Sequence, residues 1–126
     1  MIVSVAIPAP CYRMQFVKLN PDSVIDERKL KEYLLMPRIE DDKSGFLALA
    51  GYSLANWHQL EQHLRRQLEQ DAVLIQTTQY GEMYHIKGKL TGPTGKVLSV
   101  ITVWIRFGAT GETRFVTLVP DKEAAR

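Results

Sequence analysis

The sequence has little of several features that would assign a function directly. Among its 126 residues there is one cysteine, Cys11, so no internal disulfide can form, and no Cys/His spacing is typical of a zinc site. A single cysteine is typical of a reducing compartment, and we expect the protein in the cytoplasm. The net charge is only +2, from 16 basic and 14 acidic residues, which is too small an excess to indicate a nucleic-acid-binding protein by itself.

Long hydrophobic runs and phosphate-binding loops are also missing. The apolar residues 1–7 are too short to span a bilayer and lack the positively charged first segment of a secretory signal. Gly92 and Gly95 lie in a predicted turn, but their spacing is not that of a P-loop. What is present, with 45% hydrophobic and 24% charged residues, is typical of one globular domain. We expect no membrane contact and no cofactor.

The order of the elements predicts an α+β fold. A short strand-like run at residues 15–19 is followed by Asp26, a helix N-cap, and by two short helices. A third helix, capped by Ser53 or Asn56, has a clear apolar stripe and ends near residue 70. The strands that follow are predicted at residues 73–80, 82–90, 96–107 and 113–119. Helices followed by hairpin-linked strands predict two or three N-terminal helices packed on a four-stranded antiparallel sheet.

The domain boundaries follow from the same pattern. Residues 14–120 are expected to form a single α+β domain. Residues 1–13 are expected to be a flexible extension, and residues 121–126 a C-terminal tail.

Strand alternation sorts the side chains into two faces of the sheet. In the long strand, the set that includes Ile101, Val103 and Ile105 is the more apolar, and it is predicted to cover the helices. The other set is then exposed beside the cationic face of the preceding strand. The predicted outer surface consists of His85, Lys87, Lys89, Thr102, Trp104 and Arg106, joined by Arg114 or Thr117 depending on register.

This surface has the residue types that bind a nucleic-acid chain. Lys and Arg bind phosphates, and a base can stack on the indole of Trp104. A metal-independent ribonuclease needs little more, because RNA supplies its own 2′-hydroxyl nucleophile and the protein supplies a base and cations.

Each of these residues also has an ordinary structural interpretation. Lys87 and Lys89 are typical of a solvated strand face that discourages edge pairing, and Trp104 is typical of packing. His58 and His63 lie five residues apart on the third helix, so they point in different directions and are interpreted as surface histidines. The neighbouring pair Arg65 and Arg66 is interpreted as a solvated helix face that could extend a basic patch.

Several segments of the chain carry a family resemblance. The segments are residues 28–35 ending at Pro37, the Tyr-x-Ile-x-Gly-x-Leu-x-Gly-Pro-x-Gly pattern at residues 84–95, the Val-x-Thr-Val-Trp strand at residues 100–104, and residues 114–117. Together they resemble a family of small bacterial domains of unknown function found near toxin–antitoxin and secreted-toxin genes. The resemblance spans nearly the whole chain. The order of helices and strands is also similar to the barnase/EndoU/colicin/RelE group of ribonuclease toxins, which implies a ribonuclease at the level of the fold.

The resemblance implies candidate catalytic residues. The family pattern has a His-Lys pair at the start of the second helix; this sequence has Asp42-Lys43, so only Lys43 carries over and His85 would act as the base. The predicted catalytic residues are Lys43, His85, Arg114 and Thr117. The predicted nucleic-acid-binding residues are Lys87, Lys89, Thr102, Trp104 and Arg106.

A second hypothesis is a non-catalytic interaction module, or an inactive relative, in a toxin–antitoxin-type system. The sheet would then bind a cognate protein, with Trp104 as an anchor, and an exposed strand edge would also permit a homo-oligomer. The two hypotheses differ in geometry. Convergence of Lys43, His85 and Arg114 on one phosphate favours the ribonuclease, whereas cations scattered over a flat face favour the interaction module.

Overall fold

The computed structural model describes residues 16–36 and 43–122. The predicted N-terminal extension, residues 1–13, lies outside the described residues, as do residues 123–126 of the predicted tail.

The helical part of the chain consists of short elements. Helix α1, Lys29–Leu34, is a π-helix, as the 2.9 Å bond from the Leu35 N–H to the Leu30 carbonyl shows. Before it, the Arg28 N–H donates to the Asp26 carboxylate at 2.9 Å, as predicted for an N-cap. Helix α2 spans Ser44–Ala48.

Helix α3, Trp57–Gln67, follows a 3₁₀ turn at Leu54–Asn56. The Ser53 N–H donates to the Asn56 side chain at 2.8 Å, so both predicted capping residues act together.

The strands form an antiparallel sheet in simple sequence order. Within the described residues the sheet has five strands, β1 (Phe16–Val17), β2 (Ala72–Thr77), β3 (Gly81–Thr91), β4 (Val97–Phe107) and β5 (Thr113–Pro120). The four long strands and the helices before them confirm the predicted α+β class. Strand β1, only two residues long, adds an edge strand beside β2.

All described helices bury their apolar side chains against one face of the sheet. Leu30, Leu34, Leu47, Leu60 and Leu64 have no exposed surface. From the sheet, the core receives Tyr84, Ile86, Leu90, Leu98, Val100, Thr102, Trp104, Phe115 and Leu118. We call this side of the sheet the core face.

The predicted orientation of β4 is wrong. Thr102 and Trp104 are fully buried on the core face, whereas Ile101, Val103 and Ile105 lie on the opposite face and are half-buried. Both faces of β4 are largely apolar, so the period of two separates them without identifying the inner one. Burial of the indole is possible because its Nε1–H donates to the Thr102 hydroxyl at 2.9 Å.

A β-bulge in β5 determines which of Arg114 and Thr117 lies on the face opposite the core face, which the sequence left open. Val103 pairs with Thr117 but Trp104 pairs with Phe115, so Val116 is the extra residue. The shift places Arg114 and Thr117 on the same face, although their numbers differ by three. The bulge is held by Lys29 of α1, whose ammonium donates to the Val116 carbonyl at 2.9 Å.

Candidate functional site

The face of the sheet opposite the core face is the candidate site, and we call it the open face. None of its side chains belongs to the buried core, and the described helices pack on the other side. The register of β2 to β5 places on it Val73, Met83, His85, Lys87, Lys89, Ser99, Ile101, Val103, Ile105, Arg114, Thr117 and Val119. Its centre is therefore an apolar strip, with cations along β3 and at one end of β5.

His85 and Thr117 lie on either side of Val103 in one row across the sheet. Their backbones are about 10 Å apart, because each pair of neighbouring strands is separated by roughly 4.8 Å. The Thr117 hydroxyl is buried and has no hydrogen-bond partner among the described residues. Burial lowers the pKa of His85, and the charge of Lys87 lowers it further while Asp121 opposes the change. His85 is therefore neutral at pH 7 and can accept a proton.

The cations of the open face differ in how they are partnered. Arg114 forms an ion pair and a hydrogen bond with Glu112. Lys87 and Lys89 are exposed and have no ion-pair partner in the described part of the chain. The open face thus has two lysines along β3 that are available to an acidic partner.

Lys43, the fourth predicted catalytic residue, is not on the open face. It is 5% exposed at the start of α2, and its ammonium donates to the Tyr33 hydroxyl at 3.0 Å among the helices. The sheet lies between this ammonium and His85, because the helices and the open face are on opposite sides. The structure brings His85, Arg114 and Thr117 together on one face but does not bring Lys43 to them.

The predicted placement of Thr102, Trp104 and Arg106 on the outer surface is also wrong. Trp104 has no exposed surface and packs edge-on against Phe115 at 5.3 Å between ring centroids, so no base can stack on it. Arg106 lies on the core side, where its guanidinium donates to Glu82 at 2.8 Å and to the Tyr84 hydroxyl at 2.5 Å. The Tyr84 hydroxyl also donates to Glu82, at 3.0 Å, and the two hydrogen bonds from Arg106 and Tyr84 hold the pKa of Glu82 below its usual range.

Sequence reasoning missed a polar cavity between α3 and the end of β3. The sequence pattern predicts His63 to be a surface histidine, but its Nδ1 lies 2.6 Å from the hydroxyl of the buried Tyr52. Gln67 is 6% exposed although it lies beside the apolar stripe of α3. The contact between Tyr52 and His63 has no sequence signal, since the two residues are eleven positions apart and meet only through tertiary packing. His58, in contrast, is exposed as predicted and stacks on Trp57 at 3.7 Å.

The described residues contain no group of three His, Cys, Asp or Glu side chains that could hold a metal ion. No helix within residues 16–36 and 43–122 is long and apolar enough to cross a membrane.

The fold and its open face define the class of protein: an α+β domain with helices on one side of an antiparallel sheet. More particularly, the chain belongs to the family described as a domain of unknown function (DUF6883), whose model matches residues 20–122. This confirms the predicted membership of a family of unknown function. The similarity to the ribonuclease group stays a prediction.

One similar solved structure is a chain of the "Contact-dependent growth inhibition toxin - immunity protein complex from Klebsiella pneumoniae 342". The TM-score is 0.63 at 22% sequence identity, and the match covers 79% of this chain and 100% of that chain. At that identity the likeness establishes the fold alone. No curated protein matches the chain.

Proposed function

We propose that this protein is a non-catalytic interaction module of a toxin–immunity system, and that its open face binds a partner protein. The observation that carries the proposal is the apolar strip of Ile101, Val103 and Ile105 outside the core. An antiparallel strand normally alternates apolar and polar side chains when one face of the sheet is solvated, and β4 does not. A contiguous apolar patch rimmed by polar residues is typical of a protein–protein interface.

The charges at the rim indicate the chemistry of the partner. Lys87 and Lys89 flank the apolar strip and are exposed. The proposed partner therefore has an apolar ridge bordered by Asp or Glu, which would meet these lysines. A protein fits this face better than RNA does, because the aromatic platform expected for bases, Trp104, is in the core.

The structural likeness supports the same proposal independently. The similar chain comes from a complex between a toxin and an immunity protein, as its title states. We infer that this chain also acts with a cognate protein, as one of the two components of such a system.

The test uses the proteins encoded by the genes that flank the gene for this chain. Each is co-expressed with the full chain, and any complex is measured by isothermal titration calorimetry. Val103→Asp, at the centre of the strip, is expected to weaken binding about 30-fold or more, as for a central interface residue. Gln62→Asp is the matched control, because Gln62 is exposed on α3 and receives the same charge.

Two results would overturn the proposal. One is that no protein encoded by a flanking gene binds the chain. The other is that a bound protein tolerates Val103→Asp as well as it tolerates Gln62→Asp, provided that circular dichroism shows both variants folded.

A metal-independent ribonuclease is the second candidate. It is favoured by one observation: neutral His85, Arg114 and the unpartnered Thr117 hydroxyl share the open face. In this mechanism His85 would accept the proton of the RNA 2′-hydroxyl, and Arg114 would stabilise the charge on the phosphate. Lys43 would have no part in it, because its ammonium lies among the helices.

The ribonuclease is tested with total bacterial RNA in the presence of EDTA. Cleavage by the wild type that disappears in His85→Ala and persists in His58→Ala would establish this second candidate. Intact RNA in every lane is the result expected for the interaction module.

A further inference from the structure

The cavity between α3 and β3 lies beside the part of β3 that has a neighbouring strand on one side only. Strand β2 pairs with β3 from Thr77 back to Val73, which is opposite His85. Beyond that point, the end of β3 has β4 on one side and the C-terminal half of α3 on the other. The space between them is a cavity of about 290 Å³. This volume is at the lower end of the range for small-molecule sites.

At this edge of β3, side chains rather than a neighbouring strand contact the backbone carbonyls. The Gln67 amide donates to the Lys89 carbonyl at 3.0 Å, and the Tyr52 hydroxyl lies 3.4 Å from the Thr91 carbonyl. In a strand, the N–H and C=O of one residue point to the same side. The backbone N–H of Lys89 therefore faces the cavity side as its carbonyl does.

Gln67 is fixed in the cavity wall by its fit against Gly88. A Cβ on residue 88 would lie 1.9 Å from the Gln67 side-chain oxygen, so only glycine allows this approach. That oxygen has no hydrogen-bond partner among the described residues, although the residue is 6% exposed. A buried oxygen without a partner is costly in a fold and calls for an explanation, such as a hydrogen bond accepted from a bound molecule.

Two neighbouring arginines of α3 have different roles. Arg65 donates to the Pro21 and Ser23 carbonyls, both at 2.9 Å, and thereby ties α3 to the loop after β1. Arg66 lines the cavity and makes no ion pair within residues 16–36 and 43–122. Its guanidinium is available to a ligand, as is the ammonium of Lys89, the other cation of the cavity.

His63 adds a neutral imidazole to the lining of the cavity. Burial raises the pKa of Tyr52 to about 12, so the phenol keeps its proton, and its oxygen lies 2.6 Å from the His63 Nδ1. Burial and the charge of Arg66 lower the pKa of His63, so the imidazole is neutral at pH 7. A neutral imidazole donates at one ring nitrogen and accepts at the other.

We propose that this cavity binds the phosphate of a nucleoside monophosphate, either free or at the end of an RNA strand. Arg66 and Lys89 place two cationic side chains in the lining of one cavity, with the His63 imidazole beside them, which suits an anion with several oxygens. Glu69, the acid of the cavity lining, would repel a bare anion but accepts hydrogen bonds from hydroxyl groups such as those of ribose. Lys89 also borders the open face, but the cavity does not include the apolar strip, so the inference does not depend on the proposed function.

The test is an NMR titration of the full chain with four probes. The probes are inorganic phosphate, adenosine, adenosine 5′-monophosphate and a short oligoribonucleotide with a 5′-phosphate. Saturable shifts are expected for the backbone amides of Arg66, Gln67, Lys89 and Thr91 with the nucleotide probes. The bound phosphate should also raise the pKa of His63, which the imidazole resonances report. Comparison of the last two probes shows whether the free or the terminal nucleotide binds more tightly.

Two arginine variants separate a built site from general attraction to charge. Arg66→Ala is expected to weaken nucleotide binding about 10-fold, the effect of losing one charge-assisted hydrogen-bonding group. Arg28→Ala is the matched control, because Arg28 is exposed and does not line the cavity. The proposal is wrong if adenosine 5′-monophosphate binds no better than adenosine, or if both variants lose the same affinity.

Discussion

Both faces of β4 consist mainly of apolar side chains but lie in different environments. On the core face, Val100 and Trp104 have no exposed surface and belong to the buried core that the helices share. On the open face, Ile101, Val103 and Ile105 are half-buried and lie outside that core. Hydrophobicity alone therefore does not determine which face the helices cover.

Hydrogen bonding and shape distinguish the two faces. The core face contains the largest side chain of β4, and the neighbouring Thr102 hydroxyl accepts a hydrogen bond from its indole. On the open face, the centre of β4 presents β-branched residues of medium size, with lysines on the adjacent β3. The first arrangement fills a closed interior, and the second is a flat surface that a partner can cover.

The largest expected effect comes from removing the indole of the core face. Trp104→Ala is expected to lower the free energy of unfolding by roughly 3–5 kcal/mol, because it leaves a large cavity and removes the hydrogen bond that the Thr102 hydroxyl accepts. Ile105→Ala, one residue away on the open face, is expected to cost about 1 kcal/mol or less. Urea denaturation followed by circular dichroism measures both. Equal losses in the two variants would contradict the assignment of the faces.

A smaller effect is expected where α3 meets the core face. Gly88→Ala is expected to cost about 1–3 kcal/mol, because the new Cβ overlaps the Gln67 side chain. Adding Gln67→Ala should recover part of that loss, since the overlap is then removed. Gly45→Ala is the control, because a Cβ there meets nothing within 4 Å. Additive losses in the double variant would show that the two residues do not contact.

The two arginines on opposite faces provide a finer comparison. Arg106→Ala removes hydrogen bonds to Glu82 and Tyr84 and is expected to cost about 1 kcal/mol. Arg114→Ala removes an exposed pair with Glu112 and is expected to cost roughly 0.5 kcal/mol or less. Thermal unfolding at equal ionic strength measures the difference. A larger loss of stability for Arg114→Ala than for Arg106→Ala would contradict the assignment of the stronger hydrogen bonds to Arg106.

The smallest expected effect is a dependence of stability on pH. The pKa values of His63 and His85 are lowered by burial, so the unfolded chain binds more protons than the folded chain near pH 6. Their contribution is complete above the unfolded pKa of about 6.5 and is lost as the pH falls below it. Urea midpoints at pH 7.5, 6.5 and 5.5 should therefore decrease. His63→Gln should flatten the decrease more than His58→Gln, and an identical slope for both would contradict the burial of His63.

Local patterns in the sequence predict much of the fold. The Gly-Pro-containing turn, the β-branched runs and the apolar stripe of α3 identify the helices and strands, because these signals depend on near neighbours. The choice between the faces of β4 depends on contacts between distant residues, such as that of Trp104 with Phe115. The bulge at Val116 depends likewise on Lys29, which is 87 residues away in the sequence.

The candidate site is predictable only in part. His85, Lys87 and Lys89 are on the open face as their alternation predicts, and the bulge brings both Arg114 and Thr117 to it. The cavity of His63 and Arg66 was not predicted, because adjacent arginines of similar appearance acquire different partners only in the folded chain. The catalytic and binding roles predicted for the open-face residues stay predictions.

The most direct test of the two-face account is thiol labelling of single-cysteine variants in a Cys11→Ser background. Val103→Cys, on the open face, is expected to react in the folded chain at least about 100-fold faster than Val100→Cys, which is exposed only when the core opens. A bound partner protein should suppress the reaction at residue 103. Equal rates for the two thiols, or a rate at residue 103 that no partner changes, would contradict the account.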